Sequence, residues 1–114
     1  MMPEQREFGT RVFAALANAA RLDILDRLAQ GPASVNEIAE ATGLKQSMTS
    51  QHLAVLLNAG VVVFASEGNH RIYSLRGPRI ARILELLEEF YTVHLENLRD
   101  LVAQHYESGV VTAR

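Results

Sequence analysis

The stretch from Ser34 to Leu75 constrains the fold more than any other part of this chain, because it holds two helix signals, a glycine stop and a hairpin signal in close succession. Ser34 and Glu37 form an S-x-x-E capping box, which predicts a helix beginning at Val35. Gly43 can take the positive φ that ends this helix and turns the chain. Ala39 lies one turn earlier and is small enough to let a second helix cross closely, while Leu44 and Thr49 are placed to fill the crook between the two. An alanine, a glycine four residues on and a β-branched residue six beyond that give a helix-turn-helix spacing. Val61-Val62-Val63-Phe64-Ala65 is then β-branched and too short for a further helix, and Gly68-Asn69 supplies a turn. In the returning segment Tyr73 and Leu75 share one face, with Ile72 and Ser74 on the other. The pattern predicts a winged helix-turn-helix, and with it sequence-specific DNA binding.

The second helix of the motif can be tested by angle, at about 100° per residue. Thr49, His52, Leu53 and Leu56 cluster on one face, and Ser47, Ser50, Gln51 and Ala54 fall on the other. The outer face is polar, yet its side chains are short and uncharged except for Lys45 near the start. A merely solvated face would favour Glu and Lys. Small hydroxyl and amide groups suit close approach to base edges, where Gln pairs with adenine and Ser is versatile. The plainer alternative is a surface helix that happens to lack charge.

A chain of 114 residues corresponds to one domain, 1–114. A hydrophobic content of 48% supports a core without covalent staples, and the absence of cysteine excludes disulfides, zinc-thiolate sites and thiol redox sensing. No run is long and apolar enough to span a bilayer, and Met1-Met2-Pro3-Glu4 does not open a signal peptide, so a cytoplasmic location is expected and no membrane partner. The net charge of −2 does not advertise a nucleic-acid partner. Its distribution says more. Residues 78–114 carry the acidic excess, whereas residues 41–76 hold Lys45, Arg71 and Arg76 against Glu67 alone. Positive charge sits where the motif would meet phosphates, but so little of it that two copies are expected to act together.

Before the motif, Pro3 suits the first turn of a helix from about Glu4 to Leu16, with Phe8, Val12 and Leu16 as its apolar stripe. Asn18 breaks the chain, and Leu22, Ile24, Leu25 and Leu28 mark a second helix closed by Gly31-Pro32. After the motif, Gly77-Pro78 ends the wing, and Pro78 opens a last helix to about Tyr106, with Ser108–Arg114 expected to fray. At about 28 residues this helix would be about 42 Å long, more than so small a domain covers by itself. Ile80, Leu84, Leu87, Tyr91, His94, Leu98 and Leu101 follow a 4-3-4 spacing along it. A dimer interface is therefore expected from Phe8, Val12 and Leu16 of the first helix and Leu84, Leu87, Tyr91, His94, Leu98 and Leu101 of the last. The fold class is mainly α with a small β-hairpin (α+β), about five helices plus a two-stranded wing.

From Ala15 onward the chain resembles the ArsR/SmtB family of bacterial winged-helix repressors. The segment Ala15 to Leu25 is similar to the family's second-helix signature, with Ala19 where a proline is usual; Gln46 to Leu56 is similar to its recognition helix, and Val61 to Leu75, with Arg71 and Tyr73, to its wing. The resemblance implies a homodimer that binds an imperfect inverted repeat in promoter DNA and is released by an inducer. It implies DNA-facing positions at Gln46, Ser47, Ser50 and Gln51, the last standing where the family often has histidine. With Lys45, Thr49 and the wing residues Asn69, His70 and Arg71 these make up the expected DNA-binding set. The family's metal positions resemble Ser34 and Asn36 on the motif's first helix and Gly77, Arg79, Phe90 and Val93 around the last helix, none a family ligand. No cofactor and no metal are expected.

An enzyme is not indicated. Four histidines without HExxH spacing, no cysteine and no glycine-rich phosphate loop leave no catalytic constellation. Two alternatives stand beside the DNA-binding regulator. One is a winged-helix protein-interaction module without its own operator. The other is a repressor with an unusual metal or pH site built on His94 and His105, three turns apart on one helix face. Control is accordingly left to an unknown small organic inducer, to protonation of His94 or His105, or to no inducer.

Overall fold

The computed structural model describes residues 1–107, so the expected fraying of Ser108–Arg114 lies outside the described residues. Along the chain run α1 (Pro3–Leu16), α2 (Ala19–Leu28), β1 (Ala33–Ser34), α3 (Val35–Thr42), α4 (Gln46–Asn58), β2 (Val62–Glu67), β3 (His70–Leu75) and α5 (Pro78–Glu107). Two compact units follow one another, Met1–Ala81 and a second beginning at Arg82.

Each element of the first unit starts and stops where its local chemistry directs. Pro3 opens α1 at a position where a backbone N–H would have no helical partner anyway. The Asn18 side chain caps α2 by accepting from the Arg21 N–H at 3.0 Å. The Ser34–Glu37 box closes in both directions: the Glu37 N–H donates to Ser34 Oγ at 3.2 Å, and the Ser34 N–H donates to Glu37 Oε1 at 2.8 Å. Gly43 ends α3 in the left-handed region at φ 76°, its N–H donating to the Ala39 carbonyl at 2.9 Å. The β2–β3 hairpin turns on Gly68 at φ 62°, while Asn69 keeps a negative φ; this is the type II′ arrangement that matches the twist of the flanking strands.

The sheet has three antiparallel strands in the order β1-β3-β2, one more than the expected two-stranded wing. The addition is the pair Ala33–Ser34, set against Tyr73 and Ile72. Ser34 thus belongs to the strand and caps α3 as well, which ties the root of the wing to the start of the helix-turn-helix. The core of this unit gathers Val12 and Leu16 of α1, Ile24, Leu25 and Leu28 of α2, Ile38 of α3, Leu53 and Leu56 of α4, and Val61, Val62 and Tyr73 at the sheet. Ile24, Leu25, Ile38, Leu53 and Leu56 are all fully buried, each worth about 1.5–3 kcal/mol relative to exposure.

In the second unit the chain is α-helical from Arg82 to Glu107. Arg82 bridges Glu85 at 3.7 Å and Glu89 at 3.3 Å on its exposed polar side. Leu86, Leu87, Phe90, Tyr91, Leu98, Leu101 and Val102 are exposed. Among the described residues no helix is long and apolar enough to cross a membrane.

Candidate nucleic-acid interface

The motif places α4 with one face in the core and the other in solvent. Thr49, Leu53 and Leu56 are buried and His52 is partly buried, whereas Lys45, Gln46, Ser47, Ser50, Gln51 and Ala54 are exposed. The helix begins at Lys45 without any side-chain cap. Its first N–H groups therefore receive no acceptor from the N-cap side chain, and such groups suit a phosphate oxygen.

Thr49 separates from the rest of the expected DNA-binding set. Its side chain is 0% exposed and its hydroxyl donates to the Lys45 carbonyl at 3.0 Å. It fills the crook of the motif and cannot also reach a base, so it leaves the contact set. Position on the inner face of α4 decides this.

A groove of about 390 Å³ runs between the start of α3, the outer side of α4 and the wing. Gln46, Ser50, Asn69, His70 and Arg71 all line it, so five of the expected contacts from two distant segments meet in one place. Lys45, Ser47 and Gln51 lie on the same exposed helix surface without lining the groove. Ser34 and Asn36 line it as well, although the sequence marks Ser34 as a cap and both only as positions resembling the family's metal site, with no signal for DNA contact. Met48, 42% exposed on the first turns of α4, is another accessible residue that helical periodicity alone did not single out.

The exposed wing arginine lies over an aromatic ring. The Arg71 guanidinium lies 4.2 Å from the centroid of the Phe64 ring, a cation–π geometry, and Phe64 in turn meets Tyr73 at 5.7 Å between centroids. Strand register explains this: Phe64 pairs with Tyr73 and Ser66 with Arg71, so Arg71 leans diagonally over its neighbour on the same face. Near the α3 end of the groove the Ser34 backbone N–H, and then the Ser34 hydroxyl, hold the Glu37 carboxyl below the usual carboxylate range. Glu37 is spent on the cap.

Of the expected interface residues, Val12, Leu16 and Leu84 are buried, while Phe8, Leu87, Tyr91, His94, Leu98 and Leu101 are exposed. Among the described residues no group of three or more His, Cys, Asp or Glu comes together as a metal site.

Residues 18–63, from the cap of α2 to the start of the wing, match the model of the bacterial regulatory protein family arsR. The HTH-type transcriptional regulator NmtR of Mycobacterium tuberculosis is 43% identical over 96 residues, covering 83% of this chain and 77% of that protein. The HTH-type transcriptional regulator Rv0324 of the same organism is 40% identical over 88 residues; these are 77% of this chain but 39% of the relative, so the chain spans about two-fifths of that protein's length. The solution structure of a homodimeric winged helix-turn-helix DNA-binding domain from Mycobacterium bovis, a possible ArsR-family transcriptional regulator, superposes with a TM-score of 0.77 at 38% identity over 82% of this chain and 87% of that one. The chain belongs to the ArsR family and is a DNA-binding transcriptional regulator, not an enzyme.

Proposed function

We propose that this regulator is a homodimeric repressor of a single winged-helix domain that reads an imperfect inverted repeat in a promoter. The observation that carries the reading is the exposed, short and uncharged outer face of α4 beside a wing whose Arg71 lies over Phe64. Gln46, Ser47, Ser50 and Gln51 contact base edges. Lys45, Asn69, His70 and Arg71 contact the backbone, where charge gives affinity without sequence information. Each α4 reads a few base pairs, and the local positive charge is small, so one copy binds weakly.

The second copy follows from the surface of α5. Leu87, Tyr91, Leu98 and Leu101 are 51%, 62%, 45% and 61% exposed, a row of large apolar groups that a soluble chain covers with a partner. Phe8 of α1, 58% exposed, adds to the same interface. Two-fold pairing sets two recognition helices into successive major grooves, about 34 Å apart, and the bound dimer blocks polymerase. The positions that resemble the family's metal sites hold Ser34, Asn36, Gly77, Arg79, Phe90 and Val93, so the repressor responds to something other than a metal at those sites.

Electrophoretic retardation of the chain's own promoter DNA tests this, with competition by specific and by random duplex. Retardation that specific duplex competes and random duplex does not, together with reduced transcription in vitro, is the expected result. Binding that both duplexes compete equally favours a protein-interaction module without its own operator.

A further inference from the structure

Arg21 makes an unusual set of contacts for an arginine. It is partly buried at the start of α2, and among the described residues no carboxylate lies within ion-pair distance of it. Its donors go elsewhere: Nε to the Ala15 carbonyl, Nη2 to the Ala14 carbonyl at 3.3 Å, and Nη1 to Nδ1 of His52 at 3.4 Å. The two carbonyls belong to the last turn of α1, which has no basic residue of its own and leaves its final carbonyls without helical partners. His52 lies on α4, 31 residues away, on the inner side of the recognition helix. A single planar guanidinium thus ties the end of α1 to α4.

The chemistry of the His52 contact is restrictive. Arginine has donors only, so His52 Nδ1 must accept, which requires a neutral ring with its proton on Nε2. A protonated ring has two donors and no acceptor. It would face the guanidinium with like charge, and no acidic group among the described residues interacts with it to compensate.

We propose that Arg21 is a positioning residue for DNA reading: it seats α4 by joining the α1 carbonyls to the acceptor nitrogen of His52. The inference rests on the base-reading role of α4 proposed above. It makes α1, which also carries the exposed Phe8, a lever on the recognition helix.

The test uses the duplex that the wild-type protein enriches from a random library at pH 7.5, with fluorescence anisotropy at that pH and constant salt. Thermal melts confirm folding of wild type, Arg21→Gln, His52→Gln and His52→Leu. Arg21→Gln should lose about tenfold in affinity for the selected duplex, the worth of one well-placed base contact, with random-duplex binding changed by less than about twofold. His52→Gln should bind as wild type, because its amide oxygen can accept the hydrogen bond, whereas His52→Leu, which has no acceptor, should lose as much as Arg21→Gln. Should Arg21→Gln not fold, the contrast between His52→Gln and His52→Leu decides. A folded Arg21→Gln or His52→Leu protein with wild-type affinity overturns the inference. If wild type enriches no duplex, the base-reading role of α4 fails, and this inference with it; enrichment followed by unchanged variants refutes this inference alone.

Discussion

Leu98→Glu separates assembly from folding. Leu98 keeps 45% of its surface accessible in the single chain. Burying a whole leucine is worth about 1.5–3 kcal/mol, so covering the accessible share in a dimer contributes about 1 kcal/mol per protomer. A carboxylate at the same place adds the cost of desolvating an unpaired charge, at least about 2 kcal/mol. Two-fold symmetry counts each contribution twice, which gives about 6 kcal/mol and raises the dimer dissociation constant about 10⁴-fold. The isolated chain should scarcely notice, since exposed substitutions of this kind stay within about 0.5 kcal/mol. Sedimentation equilibrium at micromolar concentration, with circular dichroism to confirm helix content, is the assay. A folded monomer without operator binding is expected; a protein that stays folded and dimeric, or a monomer with full operator affinity, refutes the reasoning.

Gln51→Ala and Ser47→Ala should each cost about 1–3 kcal/mol on the cognate site and relax its sequence preference, whereas Arg71→Ala should weaken all duplexes alike and lower the salt slope by about 1. An unchanged binding-site logo for Gln51→Ala would mean that the wrong face of α4 has been assigned. Zn(II), Ni(II), Cu(I) and As(III) should leave DNA affinity unchanged within about threefold; a tenfold loss with one of them, reversed by chelator, contradicts this and directs attention to His94 and His105. Ser34→Ala should cost about 0.5–2 kcal/mol as a lost cap, read from urea melts. Because Ser34 depresses the Glu37 carboxyl, the stability from that contact is present above the ordinary carboxylate range and lost as pH falls through the depressed value. Ser34→Ala keeps the backbone N–H, the larger cause, and removes only the hydroxyl, so an NMR titration should find Glu37 moved upward in part; a Glu37 returned fully to the ordinary carboxylate range argues against the backbone N–H as the larger cause.

The parts of the fold that were legible in the sequence are those specified by neighbours along the chain. Ser34 with Glu37, the left-handed Gly43, the Gly68 turn and Pro78 at the head of α5 are local devices, and each occupies its expected place. The wheel of α4 likewise sorted Leu53 and Leu56 inward from Ser47 and Gln51. Strand β1 was not legible, because two residues carry no periodicity and Ala33 is a strand only by virtue of Tyr73, forty residues on. The same holds for Asn36 as a groove residue and for the Arg21–His52 contact, both created by tertiary approach. Thr49 illustrates a different limit. A polar residue on the reading helix has two possible uses, contact with DNA or back-bonding to its own helix, and only burial distinguishes them.

The most direct test of a two-fold, α4-reading regulator is selection of bound duplexes from a random library by the wild-type dimer, followed by footprinting of the winner. The expected product is an inverted repeat whose half-sites are centred about one helical turn, 10–10.5 bp, or a whole multiple of it apart, with protection confined to one face of the duplex. Enrichment of a single unrepeated half-site, or of no sequence at all, contradicts it.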